Sequence, residues 1–326
     1  MGAEVSLDPD GAAASEAFGA GLEAEGGGDA TTPPPCTSPT FPWVARFEPG
    51  ALVFTGGSAM EVGLAVGSAS EPDAWLAGPV LTLPESVGVH TVFARSSDCD
   101  TVTRAEITIG GSFSGPAGTE GSDAIPLDDP RIDGWAIAVT DVHYGGGVDE
   151  QWQAPGQAMG PAGTDALSSL VLGNGGSAIV ELGPSAKDGE GPDFVVFENG
   201  IADGFLELAF VEVSSDGTHW ARFASAYLGV EPVSAYGSHA AALIDGLAGK
   251  FRLSFGTPFD LARLRWSAEV QRGEVDLQAV RFIRIVDIVG DGNTRDSFDR
   301  PIYDPTPTFG SGGFDLDAIG VLHSPP

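Results

Sequence analysis

Short apolar stretches, separated by turn residues roughly every 8 to 12 positions, constrain the fold of this chain more than any other feature. The 326 residues include 47 glycines and 24 prolines, and many of these stand between the stretches. A surface helix needs apolar residues at a period of about 3.6 over at least ~10 positions, and no long pattern of that kind occurs. Helical bundles and coiled coils are therefore excluded, and the pattern predicts an all-β protein.

The first part of the chain divides into linkers and a small β domain. Residues 1–40 contain few large apolar side chains and three consecutive prolines, so we expect a disordered, acidic and proline-rich linker. Residues 41–110 contain short strand-like runs between turns, which predicts a small immunoglobulin-like β-sandwich. The glycine- and serine-rich stretch 111–127 is expected to link this domain to the remainder of the chain.

Residues 128–323 are expected to form a larger β-sandwich domain. Strand patterns are clearest at 179–182, 193–197, 206–214, 280–289 and 314–322. The stretch 194–197 is apolar at every position, which is typical of a central strand covered on both faces. Residues 173–178 fit a dinucleotide-binding GxGxxA pattern, but a strand pattern follows them instead of a helix. We therefore expect a hairpin turn there.

The charge balance excludes several classes of partner. The chain carries 46 Asp plus Glu against 15 Lys plus Arg, which gives a formal net charge of -31. Nucleic acid binding needs clustered cations, and an anionic membrane surface would repel such a chain. No run of about 18 apolar residues is present, so we predict no membrane insertion.

The same acidity bears on location. Strong negative charge keeps a protein soluble, which suits an extracellular or cell-surface protein, and adaptation to a saline habitat would give the same balance. No pattern of charged residues followed by an apolar run stands at the amino terminus. The extracellular expectation therefore includes a signal peptide that was removed before residue 1.

The chain has 2 cysteines, Cys36 and Cys99. In an oxidising compartment, one bridge between them would close a loop of about 60 residues and add roughly 4 kcal/mol in the chain-entropy model. The extracellular composition favours this disulfide, and two free thiols are the alternative. A zinc site is not expected, because no CxxC or paired His–Cys spacing occurs.

Several passages resemble a known fold. Residues 211–220 (VEVSSDGTHW) are similar to a strand pair of discoidin-like jelly rolls, and residues 312–319 (GGFDLDAI) resemble the closing strand of galactose-binding-like jelly rolls. Further blocks, such as GPDFVVFEN at 191–199 and VDIVGDG at 286–292, resemble a family of bacterial secreted or cell-surface proteins. The resemblance implies a jelly-roll β-sandwich for 128–323 and a cell-surface location, and it implies no defined activity.

Acidic side chains near turn glycines indicate calcium sites. Ca²⁺ takes about six to eight oxygen ligands, and flexible turns can gather them. We predict one site within 287–304 and a second within 188–199, with a solvated acidic surface as the alternative. The candidate ligands are Asp287, Asp291, Asn293, Asp296, Asp299 and Asp304 in the first stretch, and Asp188, Glu190 and Asp193 in the second.

Asp315 and Asp317 are two positions apart in a predicted strand, so both are expected on one face of it. Ile319 and Val321 continue that face, which predicts that it is buried. Two carboxylates directed toward a core are unfavourable unless they are paired or bind a metal. The alternatives are a calcium ion, which the jelly-roll resemblance favours for Asp317, and a salt bridge to Arg281 or Arg284.

Aromatic residues in polar, glycine-rich surroundings are candidates for ligand binding. They are Trp135, Tyr144, Trp152 and Tyr236. Jelly-roll modules stack sugars on such rings, so the resemblance implies a glycan as the partner. The alternative is that these rings pack in the core or at a sheet edge.

These features together predict a non-catalytic extracellular or cell-surface binding or adhesion module, for a glycan or a surface protein, with structural Ca²⁺. An architectural surface-layer or matrix component is one alternative. A calcium-dependent glycoside or polysaccharide hydrolase is another, with Glu198 and Glu212 as the two carboxylates that such an enzyme needs. An enzyme is not the expected class, because no GxSxG or HExxH motif occurs.

Overall fold

The computed structural model describes residues 46–48, 51–53, 60–66, 69–78, 80–82, 88–96, 102–109 and 113–325 of the chain. The predicted linker 1–40 and the predicted Cys36–Cys99 disulfide lie outside the described residues. No helix in the described ranges is long and apolar enough to cross a membrane.

The amino-terminal part contains two small antiparallel sheets. Its strands are β1 Arg46–Glu48, β2 Ala51–Val53, β3 Met60–Val66, β4 Ala74–Ala77, β5 Val80–Thr82, β6 Gly88–Ser96 and β7 Val102–Ile109. One sheet has the order β1-β2-β5 and the other the order β4-β3-β6-β7. Val62, Val92 and Phe93 are buried in the second sheet. The assignment of 41–110 to an immunoglobulin-like domain stays a prediction.

The range 113–325 is built around one large antiparallel sheet. Its strands are β8 Ile125–Pro126, β9 Gly134–His143, β10 Leu170–Val171, β11 Ser177–Ala186, β12 Phe194–Glu198, β13 Ala209–Ser214, β14 Ala221–Arg222, β15 Ala226–Tyr227, β16 Ile244–Asp245, β17 Phe255–Phe259, β18 Val280–Asp287, β19 Asp291–Arg295, β20 Pro301–Tyr303 and β21 Asp315–Val321. The strand order is β14-β13-β18-β11-β9-β21-β12-β17-β8, and β10 pairs with β21 beside this path. Two small ladders, β15-β16 and β19-β20, stand apart from it.

Strand β9 joins two layers of this sheet. Its residues 136–143 pair with β11, whereas Gly134 and Trp135 pair with β21. The sheet bends at β9, and its two halves share one hydrophobic core. Val211 and Ile283 enter this core from one half, and Ile319 enters it from the other. The all-β sandwich predicted from the sequence is therefore confirmed.

Aromatic packing fills the middle of the core. The rings of Phe194 and Phe259 stack with centroids 5.2 Å apart, and Phe223 meets Phe194 edge-on at 5.8 Å. Every residue of β12 is buried, as its continuous apolar pattern predicts. Burial of one such ring stabilises the fold by roughly 1.5–3 kcal/mol.

Helical structure in the described residues is limited to single turns. One α-helical turn, α1, spans Ala268–Gln271, and the Ser267 side chain caps it by accepting a hydrogen bond from the Val270 N–H. The 3₁₀ turns are Glu150–Trp152, Pro155–Ala158, Ala241–Leu243 and Leu261–Leu264. These turns connect strands, and no helical layer covers the sheet in the range 113–325.

The glycine-rich stretch 173–176 connects β10 to β11. Gly173 and Gly175 both have φ 79, a left-handed conformation that glycine adopts without strain. A strand follows, as predicted, so the stretch is not a dinucleotide site. However, β10 pairs with β21, whereas β11 pairs with β9 and β18. The predicted hairpin is wrong, because this turn carries the chain from one half of the sheet to the other.

Residues 113–127 contact the large sandwich over most of their length. Strand β8 extends the sheet by pairing with β17, and Ile125 is 5% exposed. The Phe113 N–H donates to the Ala242 carbonyl at 2.8 Å, and Lys250 Nζ donates to Ser114 Oγ at 2.7 Å. The stretch that the sequence analysis assigns to a linker therefore contributes a strand to the sheet.

Candidate functional site

Three acidic side chains meet at one end of the sandwich. Glu198, Glu207 and Asp315 each offer a carboxylate oxygen, and these oxygens lie within 4.8 Å of one another. The three residues are only 2%, 4% and 6% exposed. We call this group the acid cluster. Acidic residues are rarely this buried unless a partner balances their charge, so the group is a candidate for function.

Strand pairing explains why these residues meet. Glu198 is the last residue of β12 and Asp315 is the first residue of β21, and the two strands are antiparallel neighbours. Both therefore lie at the same end of the pair, where Glu198 stands opposite Leu316. The loop 199–208 then returns toward the sheet and places Glu207 beside them, two residues before β13 begins.

A β-bulge decides which way β21 directs its acidic residues. The register between β12 and β21 shifts between Phe197 and Glu198, so one residue of β21 has no direct counterpart. As a result, Leu316, Ile319 and Val321 share the central core. The predicted face of Asp315 and Asp317 with Ile319 and Val321 is therefore wrong, because strict alternation is interrupted at the bulge.

Two close approaches hold the acid cluster in place. Glu198 Oε2 accepts a hydrogen bond from the Gly200 N–H at 2.8 Å, and a Cβ on Gly200 would stand 2.7 Å from that oxygen. Gly249 has φ 81, and a Cβ there would overlap the carbonyl oxygen of Glu207. Glycine at both positions lets the backbone come close enough to position the two glutamates.

Burial and mutual repulsion change the acidity of the cluster. Burial raises the pKa of Glu198 and of Glu207 well above the usual range, and the charge of Asp315 raises both further. Burial also raises the pKa of Asp315 to about 7. Asp315 Oδ1 has no hydrogen-bond partner. The cluster therefore resists carrying three negative charges unless a cation or donor group enters it.

The acid cluster lies against the floor of a pocket. The pocket has a volume of about 380 Å³, and its floor includes Glu207 and Asp315. Its aromatic lining residues are Trp152, Phe205, Tyr236 and Phe309. Tyr236 is 82% exposed and Phe309 is 75% exposed, and the Tyr236 ring stacks on Phe205 with centroids 6.3 Å apart. We call these four residues the aromatic rim.

Asn199 connects the pocket wall to its floor. Its Nδ2 donates to the Ala166 carbonyl at 2.7 Å and to Ser169 Oγ at 3.1 Å. Ala166 and Ser169 both line the pocket. The side chain that follows Glu198 along the chain therefore fixes the loop that closes one side of the pocket.

A neutral histidine lies behind the loop that carries Glu207. His239 Nε2 lies 2.8 Å from the Leu206 carbonyl, and Nδ1 lies 3.2 Å from the Tyr227 hydroxyl. Burial lowers the pKa of His239, so its 3.8 Å approach to Asp304 Oδ1 is not an ion pair. Burial raises the pKa of Asp304 well above the usual range, although one of its oxygens accepts the Leu208 N–H.

The predicted calcium ligands of 287–304 are dispersed. Asp287 accepts backbone N–H groups of Gly175 and Phe314, and burial raises its pKa to about 6. Asp296 is buried and accepts several donors, among them the side chain of Arg300. Asp291 is exposed and accepts a hydrogen bond from the Asn293 N–H of its own turn. Asp299 is also exposed and has a left-handed φ of 61, whereas Asp304 is buried behind the pocket.

The second predicted calcium stretch is partly assembled. Asp188 and Asp193 lie with Asp260, and their ligand oxygens are within 4.8 Å of one another. Glu190 is exposed and lies outside this group. Asp317 also stands apart from both predicted stretches: it accepts the Gly163 N–H at 3.0 Å, and burial raises its pKa to about 6.

The predicted aromatic ligand residues divide into two sets. Trp152 and Tyr236 belong to the aromatic rim. Trp135 instead packs on Phe197 with ring centroids 5.7 Å apart, and Tyr144 packs against the central core. Four further residues of the site are not among the predicted ligand residues: Phe205, Phe309, Asn199 and Glu207. Glu207 could have been noticed as the charged position within the apolar stretch 206–211.

The predicted catalytic pair, Glu198 and Glu212, is not brought together. Glu212 forms salt bridges with Arg222 at 2.7 Å and with Arg284, whereas Glu198 lies in the acid cluster. Arg284 also lies over the ring of Trp220. Arg281 pairs with Glu181, so neither arginine proposed as a partner of Asp315 and Asp317 is paired with them.

A second cavity stands beside the Glu212 network. Its volume is about 470 Å³, and Phe210, Trp220, Arg222 and Asp299 are among its lining residues. Arg222, a charged residue of this lining, already has Glu212 as its partner. We therefore take the pocket over the acid cluster as the candidate site, because it combines exposed rings with a carboxylate oxygen that lacks a partner.

Comparisons with known proteins give only distant matches, and all of these are to solved structures. No protein-family model matches the chain, and no curated protein matches it. Among solved structures, a SusE-like protein matches at 10% identity with a TM-score of 0.18, over 83% of this chain and 92% of that chain. A structure of carbohydrate-binding modules from the β-sandwich superfamily matches at 12% identity with a TM-score of 0.21, over 87% and 96%. The predicted discoidin-like family is not confirmed.

Proposed function

We propose that the pocket over the acid cluster binds carbohydrate and that the chain acts as a non-catalytic binding module outside the cell. One observation carries this proposal: four aromatic side chains, two of them largely exposed, line a pocket that also contains the carboxyl groups of Glu207 and Asp315. Large exposed apolar groups around a concave site indicate ligand binding. The strongly acidic composition suits the extracellular or cell-surface location that we assign to the module.

A sugar matches both parts of the pocket. The C–H groups on one face of a pyranose ring pack well on an aromatic face, whose electron density is negative. Tyr236 and Trp152 offer such faces at the rim. The hydroxyl groups of the sugar can donate hydrogen bonds to Glu207 and Asp315 at the floor. A small number of polar groups of this kind fixes the orientation of a ligand in a largely apolar pocket.

The negative charge of the chain limits which sugars are expected to bind in the pocket. The net charge of -31 repels anionic polymers, and the residues that line the pocket include no lysine, arginine or histidine. An acidic polysaccharide would bring further negative charge to the acid cluster without a counter-charge. We therefore expect neutral glycans to bind and uronic acid or sulfated glycans to be rejected.

The test is a glycan array on the full chain, followed by calorimetric titration with the best neutral oligosaccharide. Trp152→Ala and Tyr236→Ala are expected to weaken binding at least about tenfold each, because each removes one stacking face. Val230→Ala is the matched control, since Val230 is 82% exposed and does not line the pocket. Trp220→Ala tests the second cavity.

Several results would contradict the proposal. Binding that is lost with Trp220→Ala and retained with Trp152→Ala would place the site in the other cavity. Failure to bind any neutral glycan would favour the alternative of an architectural component. Release of shorter products from the bound oligosaccharide would favour the alternative of a hydrolase.

A further inference from the structure

We propose that Glu198, Glu207 and Asp315 bind one divalent cation, with Ca²⁺ as the expected ion, and that this cation coordinates hydroxyl groups of the bound sugar. The cation site depends only on the geometry of the acid cluster, whereas the contact with sugar rests on the proposed function. The predicted calcium stretch 188–199 contains Glu198, and a calcium ion is one predicted partner of Asp315, but neither prediction joins these two residues or includes Glu207.

The spacing of the acid cluster fits a single ion. Ca²⁺ binds oxygen at about 2.3–2.6 Å, so two ligands of one ion lie at most about 5 Å apart. One oxygen each from Glu198, Glu207 and Asp315 satisfies this limit, since these atoms lie within 4.8 Å of one another. Three protein oxygens leave further coordination positions for water or ligand, which the open pocket can supply.

An oxygen without a partner points to a ligand in this cluster. In the described part of the chain, the buried side-chain atoms with no hydrogen-bond partner are Ser225 Oγ, Asp304 Oδ1 and Asp315 Oδ1. Asp315 alone among these residues lines the pocket over the acid cluster. Its side chain is 6% exposed, so the oxygen is not compensated by open solvent. A bound cation would satisfy it.

Charge balance also favours a cation. The acidic side chains of the cluster are close together and largely removed from water, which makes their mutual repulsion strong. The basic residues that follow Gly249, which approaches the Glu207 carbonyl closely, have partners elsewhere: Lys250 donates to Ser114, and Arg252 pairs with Asp203 at 2.9 Å. A divalent ion would balance two negative charges at once, and carboxylate oxygens are the ligands that Ca²⁺ prefers.

The other acidic group does not meet the same test. In the group of Asp188, Asp193 and Asp260, both oxygens of Asp193 are already used. Oδ2 accepts the Leu261 N–H at 2.7 Å, and Oδ1 accepts the Gly189 N–H at 2.7 Å. Asp260 caps a 3₁₀ turn. Asp193 and Asp260 are therefore engaged by backbone N–H groups, so that group serves as a control.

The cation site is tested by calorimetric titration of CaCl₂ into the chelator-treated full chain, without sugar. We expect one binding event with a Kd on the order of 10⁻⁴ M or tighter. Asp315→Asn and Glu207→Gln keep the side-chain volume and should each weaken binding at least about tenfold. Asp188→Asn and Asp291→Asn are matched controls and should leave it unchanged. Circular dichroism checks that all four variants fold.

The outcomes separate the alternatives. Absence of Ca²⁺ binding, or binding that survives both Asp315→Asn and Glu207→Gln, would overturn the cation site. Loss of binding in Asp188→Asn or Asp291→Asn alone would move the site to a predicted calcium stretch. A parallel titration with MgCl₂ that shows tighter binding would overturn the choice of Ca²⁺.

A second arm tests the contact with sugar. The neutral oligosaccharide is titrated into the full chain with CaCl₂ and with chelator, at matched ionic strength. We expect chelator to weaken sugar binding at least about tenfold, which corresponds to 1.4 kcal/mol or more. Equal sugar affinity in both buffers would overturn the coordination of sugar by the ion. Ca²⁺ binding with no sugar binding at all would instead overturn the proposed function and leave the cation site standing.

Discussion

Buried carboxylates in this protein differ in what their oxygens accept. Asp287 is saturated by two backbone N–H groups, from Gly175 at 2.6 Å and from Phe314 at 2.7 Å. Asp315 is buried to a similar degree, but its Oδ1 accepts no hydrogen bond. The first kind of residue organises turns, and the second kind is available to a ligand. Residue type and burial alone do not separate the two.

At the residue scale, Gly249→Ala is expected to disturb the acid cluster. An alanine at position 249 would have to adopt the left-handed φ of 81, and its Cβ would overlap the Glu207 carbonyl. The loop that carries Glu207 must therefore move. We expect a loss of unfolding free energy of about 2–4 kcal/mol, from strain together with the shift. Chemical denaturation measures the stability, and calorimetry measures the weakened binding of CaCl₂.

Gly118→Ala is the matched control for this substitution. Gly118 has a similar φ of 85, but a Cβ there meets nothing within 4 Å. Gly118→Ala should lower the free energy of unfolding by about 1–2 kcal/mol, from the left-handed strain alone, and should leave calcium binding unchanged. If both variants lose the same stability, the close approach at Glu207 has no energetic consequence.

At the element scale, the ends of strands place the site and a short strand completes the sheet. Glu198 ends β12 and Asp315 begins β21, and the bulge between these strands separates Asp315 from the core face. Strand β8 covers the opposite edge, beside β17. Each of these features depends on which strands are neighbours, so each is a property of the sheet as a whole.

Ile125→Ala tests whether β8 belongs to the large sandwich. Ile125 is 5% exposed and packs in a small cluster with Val195 and Phe197. Removing most of its buried side chain should lower the free energy of unfolding by about 2–4 kcal/mol. Urea denaturation measures this change, and Val230→Ala, at 82% exposed, is the control that should change little. If Ile125→Ala leaves the stability unchanged, the stretch 113–127 behaves as a linker.

At the scale of the whole molecule, acidity is the dominant property. The net charge of -31 favours solubility and opposes compaction, because like charges repel. Several acids are also buried with raised pKa values, among them Asp287 at about 6 and Asp317 at about 6. A raised pKa means that the folded state binds a proton that the unfolded chain has already released.

We therefore expect stability to fall as pH rises from about 4 to 7. Asp287 titrates at 3.8 when unfolded and at about 6 when folded, mainly because of burial. Its contribution is fully present below the lower value and is lost as pH rises through the higher one. This loss amounts to about 3 kcal/mol for Asp287 alone. Chemical denaturation across this range, in chelator at fixed ionic strength, measures the slope.

Two variants test whether Asp287 causes this fall of stability with pH. Asp287→Asn removes the titrating group and should make the fall with pH shallower by up to about 3 kcal/mol. Asp291→Asn changes an exposed acid and should leave the slope as it is. If the stability of the unsubstituted chain stays constant or rises over this pH range, the buried acids are not protonated in the folded state as we infer.

The sequence alone determined the class of fold and part of the site. Short apolar stretches between turn residues specify strands locally, so the sequence predicts the elements at 179–182, 193–197 and 280–289 without knowledge of their partners. Trp152, Tyr236 and Asp315 were also identified as candidates, because rings in polar loops and a charge within an apolar strand stand out from their neighbours in the chain.

Only the tertiary structure decided which candidates share a site. Glu198, Glu207 and Asp315 come together through strand pairing across more than a hundred residues, and no local pattern encodes that pairing. The backbone N–H groups that saturate Asp287 come from the distant residues Gly175 and Phe314. Carboxylates respond to whatever donors the fold places beside them. Their role therefore follows from long-range packing, whereas the strand that carries them follows from local alternation.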